Sequence, residues 1–243
     1  MKKNNYVFGI VFTISTFCVS CDKNDNPVVD TPTTPSVEIP EKPSMCPDGN
    51  HPHQIDLGLS SGTKWSCCNL GANQPAGYGS YFAWGEVSPK SDYTDLTYQH
   101  ATCTEENVIY KYLGDDIAST IYDAAHARWG GAWQMCSLED IHELLALQQE
   151  YMTLDGVAGF KYTGPNGRSI FLPAAGSMNS TEVSGQGHTL YYWTSTYNAG
   201  GYFSGKLGYA WAIIYHQWTG SWKQQDLHSY PYDGYSIRPV VHK

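Results

Sequence analysis

Apolar side chains fall into three regimes along the 243 residues. A continuous apolar run occupies 6–19, residues 22–49 carry few large apolar side chains, and from Ile55 onward short apolar clusters alternate with turn residues. Two stretches carry a helical period. Over 117–128, Ile117, Ile121, Ala124 and Ala125 share one face. The second stretch starts at Ser137, a natural N-cap, with Asp140 three residues on. Leu138, Ile141, Leu144, Leu145 and Gln148 then follow one stripe, which predicts a helix ending near Gln149.

The remaining clusters read as strands. Residues 55–59 and 63–70 flank the turn Ser60-Ser61-Gly62, and 80–84 is a short aromatic strand. Residues 168–172, 191–196 and 236–241 follow in the second half. Over 207–215, Leu207, Tyr209, Trp211, Ile213 and Tyr215 alternate with Gly208, Ala210, Ala212 and Ile214. Residues 86–116, rich in Asp and Glu, read as a long surface excursion. Strands outnumber helices, the helices cluster in the middle, and no internal repeat is visible. The fold class is therefore α+β rather than a series of βαβ units.

The first regime gives an address. Lys2 and Lys3, an apolar run too short to span a bilayer, and Ser20 describe a secretory signal over 1–20. The stretch Cys18-Val19-Ser20-Cys21 resembles the lipobox of bacterial lipoproteins, with Cys18 where Leu is usual. That resemblance implies a lipidated Cys21 as the new N-terminus and a membrane contact made only through the lipid. Asp22 and Asp25 are compatible with the outer membrane of a Gram-negative bacterium and with display on the cell surface. Residues 21–49, with six prolines, read as a tether. At about 3.1 Å per residue it would reach roughly 85 Å. Residues 50–243 are left as one domain with a full core.

Charge narrows the partners. Loss of Lys2 and Lys3 takes the formal charge from −9 to −11, and Arg128, Arg168 and Arg238 are the only arginines. Nucleic acid is therefore not expected as a partner. Beyond Cys21 stand Cys46, Cys67, Cys68, Cys103 and Cys136, an odd number that leaves at least one thiol unpaired. Adjacent Cys67 and Cys68 point to opposite faces of a strand, so at most one of them is expected to pair with Cys103 or Cys136.

Candidate chemistry is sparse. Gly58-Leu59-Ser60-Ser61-Gly62 matches GxSxG, but that motif needs a helix after it, and Thr63-Lys64-Trp65 favour a strand. A hairpin turn is the better reading. Cys46, His51 and His53 lack a fourth ligand for zinc. Asp92, Asp95, Asp115 and Asp116 lie in loops without EF-hand spacing, so calcium is possible but unsupported, and no metal or other cofactor is expected. The strongest signal is aromatic: 190–235 holds fourteen aromatics in 46 residues. Trp218 and Trp222 flank a turn, Tyr230, Tyr232 and Tyr235 lie in a Pro/Gly-punctuated loop, and Tyr197 and Tyr202 stand nearby. Such side chains suit sugar stacking and interface hot spots. Trp218, Trp222, Tyr197, Tyr202, Tyr230 and Tyr232 are the candidate ligand-binding set.

Longer blocks resemble a known family. Residues 55–65 with Asn69-Leu70-Gly71-Ala72, then Tyr81-Phe82-Ala83-Trp84-Gly85-Glu86, Trp129-Gly130-Gly131-Ala132-Trp133, Ile170-Phe171-Leu172-Pro173-Ala174-Ala175-Gly176, Tyr192-Trp193-Thr194-Ser195-Thr196 and Ser236-Ile237-Arg238-Pro239-Val240 are similar, in order, to the Fibrobacter succinogenes major paralogous domain (FISUMP) family. The resemblance covers nearly all of 55–241. It implies a single C-type lectin-like domain with short twisted antiparallel sheets and two helices, and it implies no established catalytic residue. Trp65, Trp84, Trp133, Trp193 and Arg238 then read as structural, with Arg238 in a buried ion pair for which Glu86 is one plausible carboxylate. Where the family usually continues Trp133 with Arg, an apolar residue, Pro and Thr, this chain has Gln134-Met135-Cys136-Ser137. Cys136 is then a candidate disulfide partner for Cys68 or Cys67. Neither Glu-Pro-Asn nor Trp-Asn-Asp, the calcium ligand sets of lectins with this fold, occurs.

The expected function is a non-catalytic surface lipoprotein that binds a glycan or a surface protein through its C-terminal aromatic loops, as in adhesion. A structural or tip subunit of a surface or pilus assembly, or a hypervariable receptor diversified over 190–235, are the alternatives. Formylglycine-generating oxidases have a related fold, but they need a close cysteine pair in the C-terminal part, and the last cysteine here is Cys136.

Overall fold

A computed structural model describes residues 54–103, 108–198, 209–216 and 225–243. The signal, Cys21 and the tether lie outside them, as do Cys46, His51 and His53. In chain order, β1 (Gln54–Asp56) and β2 (Lys64–Ser66) are followed by β3 (Ala101–Cys103) and β4 (Val108–Tyr110) within the excursion. Helix α1 (Ala124–Trp129), β5 (Gln134–Met135) and α2 (Leu138–Leu145) come next, then β6 (Gln148–Leu154), β7 (Val157–Thr163) and β8 (Ser169–Pro173). The order closes with β9 (Ser177–Asn179), β10 (Glu182–Ser184), β11 (Thr189–Asn198), β12 (Tyr209–His216), β13 (Gln225–Ser229) and β14 (Pro239–Val241). The strands form small antiparallel sheets ordered β1-β2-β14-β5, β6-β7-β8 and β11-β12-β13, with ribbons β3-β4 and β9-β10. With two short helices between them, the class is α+β.

Helix α2 begins as its sequence dictates. The Ser137 hydroxyl accepts the Asp140 amide, and the Asp140 carboxylate accepts the Ser137 amide in return, a reciprocal cap. The helix ends at Leu145, short of the expected Gln149, because Gln148–Leu154 pairs with β7 instead. Asp155 and Gly156, both at positive φ, form the two-residue turn of that hairpin. Helix α1 is also shorter than the 117–128 period predicts. Asp123 caps it, accepting the amides of Ser119, His126 and Met135, and 117–123 is a run of turns before it. Ile121, expected on the buried face, is 80% exposed. The strand expected at 80–84 is reduced to one bridge, Phe82 with Tyr235, because Gly79 and Gly85 turn the chain at positive φ on either side.

The two larger of four buried hydrophobic clusters among the described residues fill most of the interior. In one, Ile141 and Leu144 of α2 meet Phe160, Tyr162, Ile170 and Leu172, the inner faces of β7 and β8. In the other, Trp193 stacks on Tyr235 at 4.3 Å and donates its indole N–H to Phe82 O. The β8 side lies so close to the β1–β2 turn that a Cβ at Gly164 would collide with the Leu57 carbonyl oxygen. Gly164→Ala is expected to destabilise the fold by about 1–3 kcal/mol through overpacking. Urea unfolding measures it, and an unchanged midpoint would contradict this contact.

Candidate functional site

The two serines of the Gly58–Gly62 turn face carboxylates, not an imidazole. Ser60 and Ser61 hydroxyls donate to Glu143, and Thr63 Oγ1 donates to Asp140 Oδ1 at 3.0 Å. Burial pushes the Glu143 carboxyl up, but the Ser61 and Ser60 donors outweigh it and hold it below the ordinary value. His242 Nε2 lies 2.9 Å from Asp140 Oδ2, while its Nδ1 faces Gln134 Nε2 at 3.0 Å. With the amide donating to Nδ1, the ring proton sits on Nε2 and points at Asp140. The His–Asp pair ties His242 to the first turn of α2.

The excursion is built differently from its polar sequence. Glu86, buried, accepts from Lys90 Nζ at 3.0 Å and from the Gln99 amide at 2.8 Å. The Lys90 ammonium also lies over the rings of Tyr93 and Tyr98, 5.4 and 5.7 Å from their centroids. Tyr93 donates to Tyr81 O, Tyr98 donates to Trp84 O, and the Tyr93 and Ser180 backbones exchange two hydrogen bonds. Farther along, the Ile117 amide donates to Ser195 O and the Tyr197 amide to Asp115 O. The excursion is therefore stapled to the core at both ends.

On that scaffold the rings form a continuous ladder. Tyr230 stacks on Tyr232 at 5.1 Å with planes 10° apart, and Tyr232 meets Tyr110 at 6.2 Å. Tyr110 meets Tyr98, Tyr98 meets His100, and His100 meets Tyr122, all between 5.2 and 5.9 Å. A separate run of rings joins Trp84, Tyr197 and Tyr112. Leu96, Ile109, Tyr112 and Ile121, each in the ladder or within two residues of one of its rings, are more than half exposed, and Tyr230 is 43% exposed.

Of the expected ligand-binding set, Tyr197, Tyr230 and Tyr232 fall among these rings, while Trp218, Trp222 and Tyr202 lie outside the described residues. Leu96, Ile109, Tyr112 and Ile121 were not in that set. Their signal was present, since Tyr93, Tyr98, Tyr110 and Tyr112 stand among the acidic residues of the excursion. Trp65, Trp84, Trp133, Trp193 and Arg238 are all buried. Two pairings differ from expectation. Cys136 is a free thiol in the main core, its sulfur directed at Trp193 O, so the disulfide with Cys68 or Cys67 is not formed. Arg238 meets no carboxylate among the described residues, and Glu86 is engaged by Lys90 instead. Of the loop aspartates weighed for calcium, Asp115 accepts from Tyr112 and Asp116 from the Ala118 amide. No group of three or more His, Cys, Asp or Glu residues suited to a metal occurs among the described residues.

Asp233 sits at the root of the Tyr230–Tyr232 loop. Burial pushes its carboxyl up to about 6, although donors from Asn179 and Tyr235 pull the other way. Below about pH 4 the group is neutral folded and unfolded. As pH rises to about 6 the unfolded chain ionises first, so stability falls, by up to about 2–3 kcal/mol, and stays lower above that. Denaturant unfolding at pH 4 and 7 should show this loss in the native chain and a smaller one in Asp233→Asn; equal losses would contradict it. No protein-family model, curated protein or solved structure matches this chain.

Proposed function

We propose that this chain is a non-catalytic lipoprotein of the FISUMP family, held by Cys21 at the cell surface in the outer membrane of a Gram-negative bacterium. Its C-type lectin-like domain binds a glycan or a surface protein through the aromatic surface. The observation that carries the reading is the exposure of Tyr112 and Tyr230, each at the end of a run of rings anchored on buried ones, Trp84 for the first and Tyr110 and Tyr98 for the second. Exposed rings backed by fixed ones lose little side-chain freedom on contact, which favours stacking on a sugar or anchoring in a partner pocket. Binding residues on loops held by a rigid scaffold follow the same logic.

At Cys136 the non-catalytic reading has support: the thiol is fully buried, and burial pushes it well above the ordinary value, so this side chain offers no reactive thiolate. A second reading, a subunit of a surface assembly, is favoured by Leu96, Ile109 and Ile121, since exposed aliphatic side chains serve a protein interface better than a sugar.

The test is binding of the full chain to a glycan array and to extracted surface proteins, with Tyr112→Ala/Tyr230→Ala alongside. Saturable binding weakened about tenfold or more, at unchanged melting temperature, is the expected result for hot-spot rings. Binding that the double variant retains in full would overturn the assignment of this surface.

A further inference from the structure

The outer face of the β6-β7-β8 sheet carries a second feature. A cavity of about 580 Å³ opens between that face and the β1–β2 edge. Ile55 and Cys67 line one side, and Met152, Leu154 and Phe171 line the other. Its size falls within the range of small-molecule sites. Two polar side chains interrupt the apolar lining, Lys161 and Ser169. Lys161 stands opposite Phe171 on β8 and opposite Glu150 on β6, on the face that Phe160 and Tyr162 turn away from.

The cavity is built rather than incidental. Arg238 donates to Ser66 O, next to Cys67, and to Phe171 O, so one buried guanidinium fixes both walls. Among the described residues the Lys161 ammonium makes no hydrogen bond or ion pair. Glu150, its cross-strand neighbour, is exposed and does not line the cavity. An ammonium beside apolar walls, with a hydroxyl nearby and no acceptor of its own, sets a specific demand. Its occupant needs an apolar body for Ile55, Met152, Leu154 and Phe171, and one anionic oxygen-bearing end for Lys161 and Ser169.

We propose that this cavity binds a free, monomeric aliphatic carboxylate, with the chain along the Met152–Leu154 wall and the carboxylate on Lys161 and Ser169. None of these residues belongs to the aromatic surface, so the two assignments stand or fall separately.

The experiment is calorimetric titration of the full chain with sodium decanoate, kept below its micelle threshold. Decyltrimethylammonium and anionic phospholipid vesicles are the comparison probes. One saturable site for decanoate is expected. Lys161→Met should weaken it about tenfold or more, while Lys161→Arg retains most of it, and decyltrimethylammonium should bind at least tenfold less tightly. Lys161 is on the outer face of its sheet, so the melting temperatures of both variants should match the native chain. Met152→Asp, which charges the wall without touching the lysine, should also abolish binding. The absence of saturable decanoate binding, equal affinity in Lys161→Met, equal affinity for the cationic probe, or binding to vesicles alone would each overturn the proposal.

Discussion

The guanidinium of Arg238 is the constraint around which the rest is arranged. It is 1% exposed and cannot shed its charge, yet its partners among the described residues are all neutral. Nε donates to Asn69 Oδ1 at 3.0 Å, one terminal nitrogen to Ser66 O at 3.1 Å, and the other to Phe171 O at 2.6 Å. Burying a charge without a counter-charge is costly, so the fold must keep these oxygens aimed at it. Asn69 extends the net: its amide donates to Tyr78 O and to the Tyr192 hydroxyl, which in turn donates to Pro173 O. Burial pushes that hydroxyl up to about 12, so it stays protonated and able to donate. Segments far apart in sequence, 66–78, 171–173, 192 and 238, are thereby held at one point.

Two surfaces hang on that frame in different ways. One cavity wall, at Phe171, is a direct partner of Arg238 and the other, at Cys67, adjoins its partner Ser66, so their spacing follows from the guanidinium. The aromatic excursion is attached farther out, through Trp84 and Trp193 to β11, and carries its own internal lock in the Glu86–Lys90 pair between two tyrosine rings. A rigid centre with a separately stapled loop lets the loop vary without disturbing the core, the usual division of labour between scaffold and binding loop.

Local chemistry was legible wherever it acts within a few residues. The Ser137–Asp140 cap, the α+β class and the turn character of Ser60-Ser61-Gly62 all follow from spacing alone. The end of α2 was misplaced at Gln149, because the Asp155-Gly156 hairpin signal competes with the helical stripe through Gln148 and outweighs it. Long-range choices were hidden. One local pair was hidden as well, since Lys90 stands only four residues from Glu86 but no helix there sets the two on one face; and nothing near Cys136 says that its sulfur faces the Trp193 carbonyl. The excursion misled because its acids are conspicuous while its tyrosines are spaced by no regular period. Exposure of Leu96, Ile109 and Ile121 depends on how turns and ribbon fold back, which no pattern of neighbours encodes.

The most direct measurement of the account is the unfolding free energy of Arg238→Lys. Lysine keeps the charge but is a point donor that cannot span three diverging acceptors. Leaving two or more of them unpaired in the interior should cost about 3 kcal/mol or more. That loss, in a two-state denaturant transition, is the result expected if the guanidinium fan holds the frame together. A change within about 1 kcal/mol would mean that charge alone suffices there, and that the frame rests on something other than Arg238.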